Sequence, residues 1–374
     1  MTGNSLPKGW RLVKFGDLVR KVSSRVDPES SGISRYVAGE HMDSDNLNIT
    51  RWGIVGDGYL GPAFTMRFQP GQVLYGSRRT YLRKVALADF EGICANTTFV
   101  LETKSADLLQ EFLPHVMSTE RFHAHSISKS KGSVNPYINF VDLNDYEFAL
   151  PPIAEQRRII SLMLSTNHLQ LQSIEALTVA EKQLANVCIR LTTTTKGGSK
   201  NIEEVAEILD SQRVPVNDAE RLKRSGEIPY YGSNGQVGWI DKPLFSEPLT
   251  LVAEDAGYFS DWRKSPIAYR IDGPSWVNNH AHVLRATCVP AGWLYFSLRN
   301  RDLTKIIVGT TRTKLNRKAL SGLNIEMPED LHQRLEILEK FEDVVQKLLG
   351  KVMDEKILGK SLLNRLLSGN LSDV

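Results

Sequence analysis

Basic side chains interleaved with tyrosines are the residues whose types and spacing most clearly indicate chemistry. The segment 67–84 carries five arginines and lysines and no acidic residue, and a Ser, Lys and Gly loop follows at 129–135. Lys and Arg contact DNA phosphates, whereas bidentate Arg and small polar side chains contact base edges. The predicted DNA-contacting residues in this half are Tyr75, Ser77, Arg78, Arg79, Tyr81, Arg83, Lys84, Lys129, Lys131, Ser133 and Asn135.

A second basic cluster lies at 299–318, in the equivalent place after a predicted helix, with Asp302 as its only acidic residue. Each cluster alone also fits a solvated charged loop, but their duplication favours DNA binding. The turn-rich stretch 228–245 is either a loop that reads bases or clamps the DNA backbone, or only a tight hairpin capped by aromatic residues. The predicted contacts in this half are Tyr231, Ser233, Asn234, Thr311, Arg312 and Lys314.

Two other candidate sites, a metal or acid–base site and a dinucleotide-binding loop, lack the sequence context that such sites need. Glu254 and Asp255, with the asparagines and histidines of 278–282, resemble a metal or acid–base site, but His280 and His282 alternate along a predicted strand without a third ligand at a metal-type spacing. GDGYLG at 56–61 fits a dinucleotide-binding pattern, but Pro62 follows at once, so a loop is predicted. No nucleophile elbow or phosphate-binding loop is present. We therefore predict no catalytic site and no metal site in this chain.

Two long amphipathic tracts must position the basic clusters. After its opening prolines, the tract 150–191 contains no Pro or Gly. Both 150–191 and 331–367 repeat apolar residues with the three-then-four spacing of a coiled coil, which predicts two long helices. The predicted seams are Ile153, Ile160, Met163, Ile174, Leu177, Leu184, Cys188 and Leu191, and Leu331, Leu338, Phe341, Val345, Leu348, Val352, Leu362 and Leu366.

The chain also repeats itself. Residues 15–28 align with 202–215, 94–102 with 277–285, and 148–158 with 325–335, at offsets that fall steadily. Chance matches would not keep this order, so one mixed α/β domain followed by one long helix is predicted to occur twice. If the helices pair antiparallel, the two domains present two similar surfaces. Helices of about forty residues, roughly 60 Å long, would hold those surfaces apart.

Composition bounds the remaining possibilities. The chain has 374 residues, is 41% hydrophobic and 24% charged, and carries a net charge of +3, which fits two globular domains plus connecting elements. No apolar run reaches the eighteen or so residues of a membrane span, and the N-terminus lacks a signal peptide, so we expect a cytoplasmic protein. Cys94, Cys188 and Cys288 are isolated, so neither a disulfide framework nor a zinc site is predicted.

Several of these segments resemble the specificity (S) subunits of type I restriction–modification systems. LPKGWRLVKFGDL at 6–18 is similar to the family's opening, LPPIAEQRRII at 150–160 to its first conserved region, and SLLNRLLSGNL at 361–371 to its end. PYYGSNGQVGWID and NNHAHVL resemble recurrent target-recognition-domain segments. The second copy reads MPEDLHQRLEI and lacks the Pro-Pro-Ile of the first, so the two helix entries are expected to differ in detail.

The resemblance implies an α+β fold with two mixed α/β target recognition domains in tandem, at 1–149 and 196–328. Two spacer helices, at 150–195 and 329–374, would pair as an antiparallel coiled coil. Each domain would read half of a bipartite double-stranded DNA site, and the helices would set the gap and dock two modification subunits. Those subunits would carry S-adenosylmethionine, and restriction subunits would join them. The chain itself is expected to be non-catalytic and to hold no cofactor.

Three alternatives stay open. The partner could fuse the modification and cleavage activities in one chain. Alternatively, this chain could be a stand-alone DNA methyltransferase or nuclease, in which case it would bind S-adenosylmethionine by itself or cut DNA. The last alternative is a coiled-coil adaptor, which would lack salt-dependent affinity for DNA.

Overall fold

A computed structural model describes residues 6–193, 197–255, 257–309 and 313–368. The chain divides into two compact units. Unit 1 comprises Met1–Leu171 and Met353–Val374, and unit 2 comprises Gln172–Val352. Each unit therefore combines one globular part with portions of both long helices. The finer bounds at 149, 195 and 328 stay a prediction.

The described residues of unit 1 form three small sheets. An antiparallel sheet orders Val19–Val22, Thr98–Thr103, Val73–Gly76 and Val85–Leu87. A second orders Gly53–Ile54, Arg35–Val37, Gly92–Ala95 and Phe64–Phe68, with its two middle strands parallel. Arg11–Lys14 pairs with Glu147–Leu150. The helices are Phe15–Leu18, Leu113–Met117 and Glu120–Ser128, with 3₁₀ turns at Gly39–His41, Thr80–Leu82 and Phe140–Leu143.

Unit 2 repeats this arrangement. Its antiparallel sheet orders Ala206–Ile208, Ala281–Ala286, Leu249–Ala253 and Ala268–Ile271. A three-stranded sheet orders Gly235–Ile240, Ile228–Gly232 and Trp276–Val277, with the last two parallel, and Ser199–Asn201 pairs with Asn324–Glu326. The helices are Ile202–Val205, Asp218–Lys223, Ala291–Arg299 and Arg317–Ser321, with 3₁₀ turns at Asp210–Gln212 and Phe259–Asp261. The predicted tandem repeat of mixed α/β domains is confirmed.

One difference separates the two copies. Phe64–Phe68 forms a full strand at the edge of the parallel pair in unit 1. The corresponding segment of unit 2 is reduced to a single bridge between Phe245 and Ser275. A shortened edge of this kind agrees with the falling offset between the repeats, because deletions in the second copy would shorten it.

The two long helices run from Ile153 to Thr192 and from Leu331 to Leu367, as their apolar periodicity predicts. In unit 1 the first helix begins beside the end of the second, where Ile159 shares a core with Leu363, Leu366 and Leu367. In unit 2 the end of the first helix meets the start of the second, and Arg334 Nη1 donates to the Leu191 carbonyl at 2.9 Å. Pairing within each unit is therefore antiparallel.

Two predicted seam residues are wrong. The side chains of Ile174 and Phe341 are 41% and 39% exposed, whereas the adjacent Ser173 and Glu342 are buried. Glu342 is buried because it has partners from outside its helix. Tyr295 Oη donates to its Oε1 at 2.5 Å, and an Arg270 guanidinium nitrogen lies 2.6 Å from its Oε2. An apolar pattern cannot predict this inward-facing carboxylate.

The sequence ADLLQEFLPHVMSTERFHA, which follows Ser105, predicts one helix, but the structure interrupts it. Residues 106–112 form turns, and two short helices follow, Leu113–Met117 and Glu120–Ser128. Thr119 separates them because its hydroxyl accepts a hydrogen bond from Phe122 N at 3.2 Å and so caps the second helix. In the second copy, PAGWLYFSLRN predicts a helix that Pro290 opens, and the structure confirms it as Ala291–Arg299. Among the described residues, no helix is long and apolar enough to cross a membrane.

Candidate nucleic-acid interface

A cationic pocket opens on unit 1 beside the end of the strand Val73–Gly76. Its volume is about 370 Å³, and Lys21, Arg25 and Arg78 line it together with polar and aromatic side chains. No acidic side chain is among the lining residues. Within the described part of unit 1, none of these three cations has an acidic partner. The other lining residues that matter below are Ser77, Asn96, Thr97, Phe99, Tyr137 and Asn139.

Aromatic rings hold two of the three cations. The Lys21 Nζ lies 4.6 Å from the centroid of the Phe99 ring, and the Arg78 guanidinium carbon lies 5.3 Å from that of Tyr137. A cation–π contact orients a cation without neutralising its charge. Both side chains therefore keep a full positive charge at the pocket.

The loop after this strand has an unusual backbone. Arg79 and Arg83 adopt positive φ angles of 48° and 52°, a conformation that costs energy for residues with a Cβ and that often occurs at functional sites. The loop is tied down by hydrogen bonds: Arg79 N donates to the Pro136 carbonyl at 2.6 Å, and Ile138 N donates to the Ser77 carbonyl at 3.0 Å. The basic loop and the segment 131–138 thus form one surface.

Some of the predicted contacts in unit 1 are accessible on this surface. The exposed ones are Arg78, Arg79, Tyr81, Lys129, Lys131, Ser133 and Asn135. Arg78, Arg79 and Lys129 have no acidic partner among the residues that the structure describes. The structure does not test whether any of them contacts DNA, so their role stays a prediction.

Tyr75 and Ser77, two further predicted contacts, are buried. The Tyr75 side chain is 1% exposed, its hydroxyl is hydrogen-bonded to Ser126, and burial raises its pKa to about 12. Ser77 is 5% exposed, and its hydroxyl donates to the Thr97 carbonyl at 2.6 Å. Tyr75 is buried because the strand Val73–Gly76 is covered on both faces, with Tyr75 in one apolar core and Leu74 in another.

Three predicted cations are already engaged. Arg83 donates to both Glu120 carboxylate oxygens at 2.5 and 2.7 Å, which raises its pKa. Lys131 pairs with Asp142 at 3.0 Å. Lys84 donates to the Gly39 carbonyl, and burial, followed by the charge of Arg79, lowers the pKa of its ammonium. These three residues are less available to a phosphate than Arg78 or Arg79.

In unit 2, the stretch 228–245 contains a hairpin. Ile228–Gly232 pairs with Gly235–Ile240, and Ser233 and Asn234 form its two-residue tip. Tyr231 is half-buried, with its ring 5.9 Å from that of Tyr269. The stretch therefore forms a hairpin, and its exposed tip residue is Asn234. Contact of this hairpin with DNA stays a prediction. Thr311 and Arg312, two further predicted contacts, lie outside the described residues.

Lys314 belongs instead to a charged cluster. Its Nζ lies 2.8 Å from Glu254 Oε1, and Arg213 Nη1 donates to Glu254 Oε2 at 2.6 Å. His282, which is 1% exposed, places Nδ1 2.6 Å from Asp210 Oδ2 and Nε2 2.8 Å from the Leu315 carbonyl. Both ring nitrogens of His282 therefore lie within hydrogen-bonding distance of an oxygen atom.

The cluster is balanced by its own charges. Burial raises the pKa of Asp210, but hydrogen bonds from His282 and Val283 outweigh it and bring the pKa below its usual value. Burial likewise raises the pKa of Glu254, and hydrogen bonds from Lys314 and Arg213 bring it down. Asp210, Glu254 and His282 could meet at a metal, since their ligand atoms lie within 4.8 Å of one another. However, each is already bound to a cation or a carbonyl, which fits an ion-pair network.

Several residues of the charged cluster and of the unit 1 pocket could not be predicted from their spacing in the sequence. Asp210 completes the group around His282 from far away in the chain, whereas His280 precedes the strand Ala281–Ala286 and pairs with Asp255 at 2.8 Å. In the basic cluster at 299–318, Arg299 is 9% exposed, and its guanidinium donates to Tyr295 Oη at 2.9 Å. Lys21 and Arg25 of the unit 1 pocket were also missed. The only signal for them was a run of three basic residues at 20–25.

Parts of the chain are similar in sequence to two named proteins. Over 130 residues, 34% of the chain, it is 31% identical to a protein of Haemophilus influenzae named as a type I restriction enzyme specificity subunit. Over 157 residues, 42% of the chain, it is 27% identical to the EcoDI type I restriction enzyme specificity subunit of Escherichia coli. The matches span only 32% and 34% of these relatives' lengths.

Solved structures share the fold. A chain from a study of complex assembly and conformational transition in a type I R-M system matches with a TM-score of 0.59 and 19% identity, covering 99% of this chain and 100% of that one. The type I restriction-modification system S subunit of M. genitalium matches with a TM-score of 0.51 and 13% identity, covering 98% of each chain.

The family model for the type I restriction modification DNA specificity domain matches residues 7–176 and 198–352, which together make up most of the chain. The two matched regions correspond to the two copies of the repeat. The α+β fold in tandem, expected from the resemblance, is thereby confirmed, and this chain belongs to the type I restriction–modification DNA specificity family.

Proposed function

We propose that the chain is the DNA-recognition subunit of a type I restriction–modification complex, that it reads a bipartite double-stranded site, and that it performs no catalysis itself. The observation that carries this proposal is the duplicated domain, matched twice by the family model. Two copies of one reading domain in a single chain suit two half-sites separated by a gap.

The long helices support partner docking. In unit 1 their exposed apolar side chains are Leu164, Leu169, Leu171, Met353, Ile357 and Leu358. In unit 2 they are Ile174, Val179, Ile337, Phe341, Val344 and Leu349. Apolar side chains left exposed along paired helices mark protein-binding surfaces. In this proposal two modification subunits dock there, supply S-adenosylmethionine and methylate adenine, and restriction subunits join them.

The test is to express the chain with the proteins encoded beside its gene and to map methylated adenines by long-read sequencing. We expect one two-part motif with a fixed gap, which disappears when this chain is omitted. Methylation or cleavage by the chain alone, or binding of S-adenosylmethionine to the isolated chain, would refute the non-catalytic assignment.

Helix length provides a second readout of the same system. Adding one heptad to each long helix, at paired positions, preserves the coiled-coil seam and lengthens each helix by about 10 Å. We expect a longer gap between unchanged half-sites in the methylation map. An unchanged gap would show that the helices do not set the spacing.

A further inference from the structure

The unit 1 pocket has a counterpart in unit 2 that backbone hydrogen bonds identify. Ile138 N donates to the Ser77 carbonyl at 3.0 Å, as Leu315 N donates to the Glu254 carbonyl at 2.7 Å. The next residues match as well. Arg78 forms an isolated antiparallel β-bridge with Tyr137, and Asp255 forms one with Lys314. The wall of the pocket is thus the same backbone in both units.

The strand registers extend the correspondence. Ser77 N donates to the Thr97 carbonyl, and Glu254 N donates to the His280 carbonyl, so Thr97 matches His280. Phe99 and His282, each two residues further along, therefore match as well. Lys21 pairs with Leu101, and Ile208 with the matching Leu284. Lys21 therefore matches Ile208, and two residues after each of them Ser23 matches Asp210.

The matched positions carry acidic side chains in unit 2 and none in unit 1. Unit 2 places Asp210, Glu254 and Asp255 there, and Arg213, Lys314 and the two histidines pair with them. Unit 1 places Ser23, Ser77 and Arg78 there instead. Because no carboxylate enters the unit 1 pocket, the charges of Lys21, Arg25 and Arg78 are left for a ligand.

We propose that the unit 1 pocket binds one phosphodiester group of the DNA backbone, and that the matched position in unit 2 does not, because its charges are neutralised internally. The proposal rests on the DNA-recognition function proposed above and assigns one contact within it. An anionic tetrahedral group suits three cations and the amide groups of Asn96 and Asn139.

A flipped or splayed base fits this pocket less well than a phosphate. A base would need an open aromatic face on which to stack. Lys21 covers one face of Phe99, and Arg78 covers one face of Tyr137. The carboxylates that would accept from a cytosine amino group are absent from the lining.

The experiment uses the full chain with its co-expressed neighbours and a fluorescent duplex carrying the mapped methylation site. Binding is measured over a salt series for the wild type, Lys21→Gln, Arg78→Gln and the control Arg20→Gln. Arg20 neighbours Lys21 on the same strand but pairs with Glu102 at 2.8 Å outside the pocket, so its variant loses the same net charge. Melting temperatures of all four proteins verify folding, and Arg25→Gln replaces any pocket variant that fails to fold.

We expect the slope of log K against log salt to become shallower by about 0.9 in each pocket variant and to change less in Arg20→Gln. Replacing single phosphates by uncharged methylphosphonates should weaken wild-type binding at one position in the half-site read by unit 1, and the pocket variants should be insensitive there.

The outcomes separate the two proposals. Wild-type protein without salt-dependent DNA binding would overturn the recognition function itself. Normal wild-type binding, with pocket variants identical to Arg20→Gln, would overturn only the phosphate site. Relaxed specificity at one base pair, with an unchanged salt slope, would mean that the pocket reads a base and would likewise overturn the phosphate assignment.

Discussion

Units 1 and 2 build the same wall from the same backbone and use it in opposite ways. In unit 1, Arg78 stands beside an open pocket without an acidic partner among the described residues. In unit 2 the matched Asp255 is paired with His280, and its neighbour Glu254 is held by Arg213 and Lys314. The fold repeats the same backbone frame in both units, whereas a few side chains decide whether positive charge remains available to DNA.

The difference between the units also predicts which substitutions affect stability and which affect DNA binding. Removing one member of a buried ion network leaves an uncompensated charge, which is strongly destabilising. Removing a cation from an open pocket leaves no buried charge behind. The same kind of substitution should therefore affect folding in unit 2 and DNA affinity in unit 1.

The largest effect is expected for Arg213→Gln. The Arg213 side chain is 13% exposed and contacts both Glu254 and Asp210, at 2.6 and 3.6 Å. Its loss should lower the free energy of unfolding by about 3–5 kcal/mol, the cost of breaking a buried pair. Urea unfolding measures this loss.

Arg20→Gln is the matched control in unit 1, since the Arg20 side chain is 62% exposed and its pair with Glu102 lies at the surface. It should cost less than about 1 kcal/mol. Equal losses in the two variants would contradict the difference between the units.

Acid should destabilise unit 1 first. Burial lowers the pKa of His115 to about 4, and burial, followed by the charge of Arg83, lowers that of His123 to about 4. Their stabilising effect is complete above the unfolded pKa of about 6.5 and is lost as pH falls toward 4, at about 3 kcal/mol for each histidine. In unit 2, Asp210 and Glu254 have lowered pKa values, so their contribution persists until pH falls below about 4.

Hydrogen exchange resolved by segment, at pH 5 and pH 7.5, measures this difference. We expect amides of unit 1 to lose protection at pH 5 while those of unit 2 keep it. Earlier loss in unit 2, or equal loss in both units, would contradict the prediction.

A charge reversal sharpens the comparison at the pocket. Arg78→Asp gives unit 1 the residue type that unit 2 has at the matched position. We expect DNA binding to weaken by about 1.5–3 kcal/mol, the worth of a hydrogen bond to a charged group. Fluorescence anisotropy with the mapped duplex measures it. Arg20→Asp carries the same change in charge outside the pocket and should weaken binding less, so an equal loss would point to net charge alone.

A smaller effect than that of Arg78→Asp is expected for Tyr75→Phe. The variant removes the buried hydrogen bond to Ser126 and keeps the ring within the core. The free energy of unfolding should fall by about 1 kcal/mol, and DNA affinity should stay unchanged. A loss of DNA affinity without a loss of stability would restore Tyr75 as a contact residue.

Local patterns in the sequence predicted much of this architecture. The apolar periodicity of 150–191 and 331–367 matches the helices Ile153–Thr192 and Leu331–Leu367 closely. The offsets between repeats match strands with the same partners in both units. Periodicity and repetition succeed because each helix and strand buries one face at intervals that its own geometry sets.

The individual DNA-contacting residues were harder to predict. Of the predicted cations, Arg83 is paired with Glu120, Lys131 with Asp142 and Lys314 with Glu254. A cluster of positive charge in the sequence does not reveal which of its members will meet a carboxylate that is distant in the chain.

The sequence by itself therefore determined the repeat, the two helices and the family, because those depend on the order and spacing of side chains along the chain. Only the tertiary structure decided that Lys21, Arg25 and Arg78 share an acid-free pocket while Asp210, Glu254 and His282 close its counterpart. Coulomb interactions act through space, so the charge available at a surface is set by which strands and loops the fold brings together.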